Sequence, residues 1–309
     1  MSRPVVAWSP SSFGQANDEP LRLLERAGVT VKPNPFGRRL TEDEAKEHLA
    51  GVEGLIAGLE PLTRDVLESA PGLKAIARVG IGMDNIDHEA ARELGIQISN
   101  TPDAPAESVA ELTVAAALTL LRGIGPANQA LHEREWAKAI SPGLKGNTVL
   151  LVGFGRIGRA VYERLVPFGA RILVCDPALD ETPVPGVSLV SLEEGLAMAG
   201  VVSLHAGGRD QIIGVEELGR LPQGAIILNS ARGELVDEDA LVDALTAGHL
   251  AGAWFDVFWE EPYTGPLCDF DQVLLTPHVG TYTESCRREM EMGATQNLLE
   301  ALGISPNGG

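Results

Sequence analysis

Lysine is scarce in this chain of 309 residues, occurring only at positions 32, 46, 74, 138 and 145. With 43 acidic residues against 24 Lys and Arg, the formal charge is -19. That excludes nucleic acid as the expected partner, because phosphate binding rests on clustered cations. The same acidity fits adaptation to high salt or plain solubility. Melting in dilute buffer against molar KCl separates the two, since greater stability in dilute buffer rules out salt adaptation. Cysteine is sparse as well: Cys175, Cys268 and Cys286 are odd in number and have no C-x-x-C spacing. Neither a metal site nor a disulfide framework is expected, and a reducing cytoplasm is the expected compartment. No apolar run approaches the roughly 20 residues of a spanning helix, and Met1 to Pro10 lacks a basic segment followed by an apolar one. Membrane insertion and export are therefore not expected. What is abundant is ordinary: 44% apolar and 22% charged residues, the composition of folded domains, at a length that suggests two cores.

Two series of short apolar runs alternate with helical patterns, the signature of α/β architecture with doubly wound parallel sheets. The first comprises Pro4 to Trp8, Val29 to Val31, Gly54 to Ala57, Leu73 to Ala77 and Ile96 to Ile98. Helices are predicted between them over Glu19 to Ala27, which Gly28 stops, and over Thr41 to His48. Two prolines in Ser99 to Pro105 break the rhythm and mark a domain crossing. The next helix, about Glu107 to Arg122, is apolar on more than one face and so suits either an interdomain core or a dimer interface. The second series reads Thr148 to Val152, Arg171 to Cys175, Val201 to Leu204, Ala225 to Asn229, Ala251 to Phe255 and Val273 to Leu275. Six strands with intervening helices suit a Rossmann dinucleotide-binding domain. A last helix, about Glu284 to Leu302, follows the completed sheet and is expected to return to the first domain.

Gly153-Phe154-Gly155-Arg156-Ile157-Gly158 is a G-x-G-x-x-G run. Its position between an apolar strand and the helical pattern Arg159 to Phe168 gives it the context that a dinucleotide site requires. Gly153 permits the turn, Gly155 lets the backbone approach a pyrophosphate, and Gly158 allows helix and strand to pack closely. Asp176 ends the next strand, where a carboxylate binds the adenine ribose diol. Pro177 and Ala178 follow it, with no cation to balance a 2'-phosphate, so NAD is predicted over NADP.

Hydride transfer to a ketone leaves an alkoxide to be protonated. The site therefore requires an acid, a cation to hold and polarise the substrate, and a fixed nicotinamide. Arg232, Glu261 and His278 each follow a strand of the second series, at the end where open α/β sheets bind ligands. Singly, each has a structural explanation: a surface charge, a loop cap, a hydrogen-bonding histidine. Their recurrence after three strands of one sheet favours chemistry.

The blocks Leu151 to Gly158, Leu221 to Asp237, Asp256 to Pro262 and Thr276 to Gly280 closely resemble the D-isomer-specific 2-hydroxyacid dehydrogenase family, particularly its phosphoglycerate dehydrogenase-like branch. The likeness extends to Arg78 to Asp87 and Asn100 to Pro102. The resemblance implies that Arg232 binds the substrate carboxylate and carbonyl, that His278 exchanges the proton, and that Glu261 orients His278 and stabilises its imidazolium. It places backbone N–H groups of Val79 and Gly80 at the substrate carboxylate. It further places Arg156 and Ile157 at the pyrophosphate, Ala206 beside the adenosine half, and Ser230, Ala231 and Asp256 around the nicotinamide. A flavodoxin-like substrate domain, residues 1–100 plus 284–309, then encloses an NAD-binding Rossmann domain, residues 101–283, and a homodimer through the nucleotide domain is expected, which favours the dimer interface for the Glu107 to Arg122 helix. The implied substrate is a small 2-hydroxy or 2-oxo acid, with 3-phosphoglycerate and glyoxylate or hydroxypyruvate as candidates.

The chain departs from the family at three places. After His205 it runs Ala206-Gly207-Gly208-Arg209-Asp210 without the usual proline, and Pro105 stands where many relatives have Asn. In Gly58-Leu59-Glu60-Pro61 there is no basic residue for a substrate phosphate, and Glu60 has the opposite sign. Small unphosphorylated acids are therefore expected to compete well with 3-phosphoglycerate. Nor is a C-terminal regulatory domain expected after Gly309. A corepressor-like NAD sensor is the alternative, which the full Arg-Glu-His set disfavours. Formate dehydrogenase, which pairs its histidine with Gln, is disfavoured by Glu261.

Overall fold

The computed structural model describes residues 3–182 and 184–305. The outermost residues of the expected substrate domain, 1–2 and 306–309, lie outside that range. The chain divides into two compact units, Met1–Pro105 with Thr281–Gly309, and Ala106–Gly280. The expected crossings at 100/101 and 283/284 differ from these by a few residues. The first break falls at Pro105, the first residue of the helix Pro105–Leu121. Proline is favoured there, because its missing N–H would have no helical partner.

Unit 1 is built on strands β1 (Val5–Trp8), β2 (Thr30–Lys32), β3 (Gly54–Ala57), β4 (Ala75–Arg78) and β5 (Gln97–Ser99). They pair in parallel in the order β2-β1-β3-β4-β5, the flavodoxin-like winding. Both central strands β3 and β4 are buried throughout, which is why they read as continuous apolar runs rather than alternating ones. Three of the flanking helices begin at side-chain caps, while Glu19–Arg26 has none. Thr41 and Glu44 form a reciprocal capping box, and Thr63 and Asp87 cap the next two helices, each cap stabilising its helix by about 1 kcal/mol. The last helix, Glu284–Ala301, packs here as expected. Its Cys286, Met290, Ala294, Leu298 and Leu299 share one core with Val6, Leu24, Ile56 and Ala77. Fully burying each Leu or Met contributes about 1.5–3 kcal/mol.

Unit 2 contains β6 (Thr148–Val152), β7 (Arg171–Cys175), β8 (Ser188–Leu189), β9 (Val201–Leu204), β10 (Ala225–Asn229), β11 (Leu250–Phe255) and β12 (Val273–Leu275). All pair in parallel, in the order β12-β11-β10-β9-β6-β7-β8. This is the doubly wound dinucleotide order with one strand more than the six expected. The addition is β8, a two-residue edge strand, too short to show any apolar period. Alternation in β11 splits the core into two layers: Trp254 enters one cluster and Phe255 the opposite one. The helix Pro105–Leu121 belongs to the Trp254 layer through Ala110, Val114, Ala117 and Leu121. Its apolar surface is thus largely core, and the unburied apolar side chains lie beyond it. The helix Ile124–His132 buries no residue, while Leu131 and Trp136 are 57% and 79% exposed.

Candidate active site

The direction of winding reverses between β6 and its neighbours β7 and β9, and the glycine turn after β6 sits at that switch point. Each glycine has a separate steric reason. Gly153 has φ +93°, and a Cβ there would lie 2.6 Å from the Ala206 nitrogen. At Gly158 a Cβ would stand 2.3 Å from the Gly153 carbonyl oxygen. Around Gly155, in contrast, a Cβ would meet nothing within 4 Å. Gly155 is also the N-cap of the helix Arg156–Leu165, so open space adjoins a helix terminus whose first N–H groups lack helical partners. That arrangement fits a pyrophosphate. Arg156 and Ile157 occupy the first turn, and the helix starts three residues before the expected Arg159.

Asp176 follows β7 directly. One of its oxygens accepts the Phe154 N–H at 2.7 Å and the other the Ala178 N–H at 2.9 Å. It therefore ties the glycine turn to the end of β7, and each oxygen keeps a lone pair that a ribose hydroxyl can use. Ala206 borders Gly153. Beside it, His205 Nε2 pairs with Ser203 Oγ at 2.8 Å. Burial lowers the His205 pKa to about 4, so this imidazole is neutral near pH 7.

The Arg-Glu-His set sits on the loops after β10, β11 and β12, which are neighbours in register: Asn229 opposes Phe255, and Phe255 opposes Leu275. After β10, fully buried Asn229 accepts the Ala231 N–H at 3.0 Å and donates to the Arg232 carbonyl at 2.7 Å. Arg232, half-buried, donates through Nη1 to the Ala231 carbonyl at 2.6 Å. Ser230 Oγ lies 3.5 Å from Thr113 Oγ1. Both oxygens of Glu261 stand 3.0 Å from His278 Nδ1. His278 Nε2 has no protein partner among the described residues, which leaves it available to a reacting oxygen.

Asp256 is 2% exposed. It accepts Thr276 Oγ1 at 2.6 Å and the N–H groups of Val279 and Gly280 at 2.9 and 2.8 Å. Burial raises its pKa against these bonds. Trp254 Nε1 donates to the same Thr276 hydroxyl at 3.0 Å. Asp256 thus holds the histidine loop, a role that sequence reasoning missed, as it missed those of Asn229, Trp254 and Thr276. The Asn229 and Thr276 positions lay inside recognised blocks. The one available signal was a polar side chain ending or directly following a buried strand.

In unit 1 the Val79 N–H donates to the Ala57 carbonyl at 3.0 Å and the Gly80 N–H to Thr101 Oγ1 at 2.8 Å. The parallel ladder of β3 and β4 runs one residue further than expected and engages the first of these donors. The N–H groups of Ile81 and Gly82 have no protein acceptor among the described residues. Glu60 does not face outward. It is 2% exposed, and both its oxygens accept the Gly58 N–H, at 3.1 and 2.9 Å. Its opposite sign is therefore not presented to a ligand.

Residues 114–280 match the model of the D-isomer specific 2-hydroxyacid dehydrogenase, NAD binding domain. The hydroxypyruvate reductase of Thermotoga maritima is 38% identical over 275 residues, covering 86% of this chain and 90% of that protein. The D-3-phosphoglycerate dehydrogenase of Mycobacterium bovis is 39% identical over 256 residues, or 80% of this chain but only 48% of that longer protein. The crystal structure of the TT0316 protein from Thermus thermophilus superposes with a TM-score of 0.88 at 36% identity, covering 98% of both chains. A parallel-sheet pair, an open glycine turn, a carboxylate-paired histidine and this similarity lead to one conclusion: the chain belongs to the D-isomer-specific 2-hydroxyacid dehydrogenases, NAD-dependent oxidoreductases of EC 1.1.1 type.

Proposed function

We propose that the chain interconverts small unphosphorylated 2-oxo and D-2-hydroxy acids, of the size of glyoxylate and hydroxypyruvate, with His278 as the acid/base. The observation that carries this reading is the two-oxygen grip of Glu261 on His278 Nδ1. It fixes the ring so that Nε2 carries the exchangeable proton. When bound, NADH supplies the hydride to the carbonyl carbon. Residues of the chain do the rest: Arg232 holds the carboxylate and polarises the carbonyl, and His278 Nε2 delivers a proton to the carbonyl oxygen. On the cofactor side Gly153, Gly155, Arg156, Ile157 and Gly158 cradle the pyrophosphate, with Asp176 and Ala206 on the adenosine half. Ser230, Ala231 and Asp256 hold the nicotinamide end. Of the loop 79–82, the N–H groups of Ile81 and Gly82 are the ones left open to a carboxylate among the described residues, those of Val79 and Gly80 being already engaged.

The preference for unphosphorylated acids rests on Gly58 to Pro61, which contains no cation. A panel of glyoxylate, hydroxypyruvate and 3-phosphohydroxypyruvate, followed by NADH absorbance, tests it. A large kcat/KM advantage for the phosphorylated acid defeats the preference. No turnover of any acid with intact NADH binding favours the sensor alternative. The working form is a homodimer in the cytoplasm. Supporting the dimer are Ile124, Leu131, Trp136 and Ile140, exposed apolar side chains close together in sequence, a surface that a second copy would cover.

A further inference from the structure

Two segments of unit 2 touch more closely than catalysis by Arg232, Glu261 and His278 alone requires. A Cβ on Gly233, the residue after Arg232, would lie 2.3 Å from the Phe258 carbonyl carbon and 2.4 Å from the Trp259 nitrogen. Trp259, two residues before Glu261, donates from Nε1 to the Val236 carbonyl at 2.8 Å. Tyr263, two residues after it, donates its hydroxyl to Glu238 Oε1 at 2.6 Å and accepts the Leu267 N–H at 3.1 Å. Tyr263 also stacks on Phe258 at 4.5 Å, and Trp259 stacks on Phe255 at 5.4 Å. The Glu261 loop is thus pinned on both sides of Glu261 to residues 233–238, the stretch that leads away from Arg232.

We propose that Tyr263, through Glu238, is a positioning residue that fixes Glu261 on His278 and holds that dyad in register with Arg232. The inference rests on the catalytic reading above. Its physical basis is that a carboxylate orients an imidazole only if its own loop cannot swing, and a shift of about 1 Å at a reacting group can cost roughly 100-fold in rate. Burial, and then the Glu238 carboxylate, raise the Tyr263 pKa, so the hydroxyl remains a donor across the working range. Among the titratable groups that act on His278 are Glu261, paired with it, and Asp256. Glu238 and the Cys268 thiol act on Tyr263.

Tyr263→Phe keeps the stack and removes only the hydroxyl, and the full chain with NADH and the best acid of the panel is the test system. The expected result is a loss of about tenfold in kcat/KM, unchanged NADH affinity, and a fall in oxoacid reduction that begins at lower pH than in the parent. Glu238→Ala should do the same, Tyr263→Phe/Glu238→Ala should add nothing further, and Glu238→Gln, which keeps an acceptor, should stay near the parent. NMR titration of the His278 ring in parent and Tyr263→Phe provides a readout independent of turnover, with the midpoint expected to fall in the variant. A parental pH profile and titration midpoint in Tyr263→Phe, or additive losses in the double variant, would overturn the proposal even if Tm drops. If the parent turns over no acid while the ring midpoint still moves, the catalytic reading fails and the brace stands.

Discussion

Replacing Glu261 by Gln removes one charge and nearly preserves shape, so it isolates what the carboxylate does electrostatically. The opposed groups are 3.0 Å apart, and their side chains keep 35% and 25% of their surface exposed. At that separation two unit charges attract by about 1.4 kcal/mol in bulk water and about 5.5 kcal/mol at an effective dielectric of 20. Partial exposure places the pair toward the weaker end of that range. The direction follows from the chemistry. On the proposed mechanism oxoacid reduction consumes imidazolium, so activity should fall as pH rises and the proton is lost. Without its anionic neighbour the imidazolium is disfavoured, and the fall comes at lower pH. Oxidation of the hydroxy acid needs neutral imidazole, so its activity should extend to lower pH by a similar amount. Initial rates in both directions across about pH 5 to 9, at saturating cofactor, measure the two limbs. In the same assay His278→Gln should lower kcat by about 100- to 10,000-fold with NADH affinity nearly intact. An unchanged profile in Glu261→Gln, or near-parental kcat in His278→Gln, would refute the dyad.

Asp176→Ala should narrow the preference for NADH over NADPH, measured as the ratio of kcat/KM values. It should also weaken NADH itself by about tenfold, since Asp176 holds the Phe154 N–H; a constant ratio counts against the ribose role. Gly153→Ala forces an L-residue to φ +93° and drives its Cβ into the backbone of His205 and Ala206. A loss of roughly 2–4 kcal/mol in stability is expected by calorimetry, and an unchanged Tm contradicts it. Arg232→Lys should raise KM for the oxoacid far more than KM for NADH, because an ammonium cannot reproduce the planar two-point grip of guanidinium; equal effects on both would relocate Arg232 from the substrate. His205 titrates at about 4 in the folded chain against an ordinary 6.5. The unfolded chain therefore takes up this proton first, and the stability present above pH 6.5 declines as pH falls toward 4, by about 2–3 kcal/mol. His205→Asn should flatten that portion of the stability curve, and parallel curves for parent and variant would show that another group is responsible.

Legibility in the sequence followed the range of the forces involved. Gly153, Gly155 and Gly158 were readable because their constraints lie within one strand, one turn and one helix, and the same three positions differ in the structure as their roles require. Strands such as Gly54–Ala57 were readable because burial on both faces leaves a continuous apolar run. Glu60 was legible as a charge but not as a direction. Its burial depends on β1 and β4, which bring Ser9 and Arg78 beside it, and nothing within Gly58 to Pro61 encodes that. The resemblance placed the N–H groups of Val79 and Gly80 at the substrate carboxylate, and their own engagement is not written in the loop that carries them. A neighbouring strand and Thr101, distant in sequence, supply the partners of these two donors.

The backbone of His278 joins these levels. It has φ +53°, a left-handed conformation that costs an ordinary L-residue about 1–2 kcal/mol. Local preference does not explain a histidine there, and the compensation is visible around it. Its own N–H closes on the Thr276 carbonyl at 2.9 Å, and the next two N–H groups are taken by Asp256. Gly280 has no Cβ, which would lie 2.9 Å from that carboxylate. Buried Asp256, anchored through Thr276 to Trp254 in the core, thus offsets strain at the residue whose ring meets Glu261. The tight turn from Thr276 to His278 sends the chain on toward the last helix, and among the described residues Nε2 has no protein partner. The strain at His278 therefore falls where the proposed chemistry needs a ring nitrogen held open.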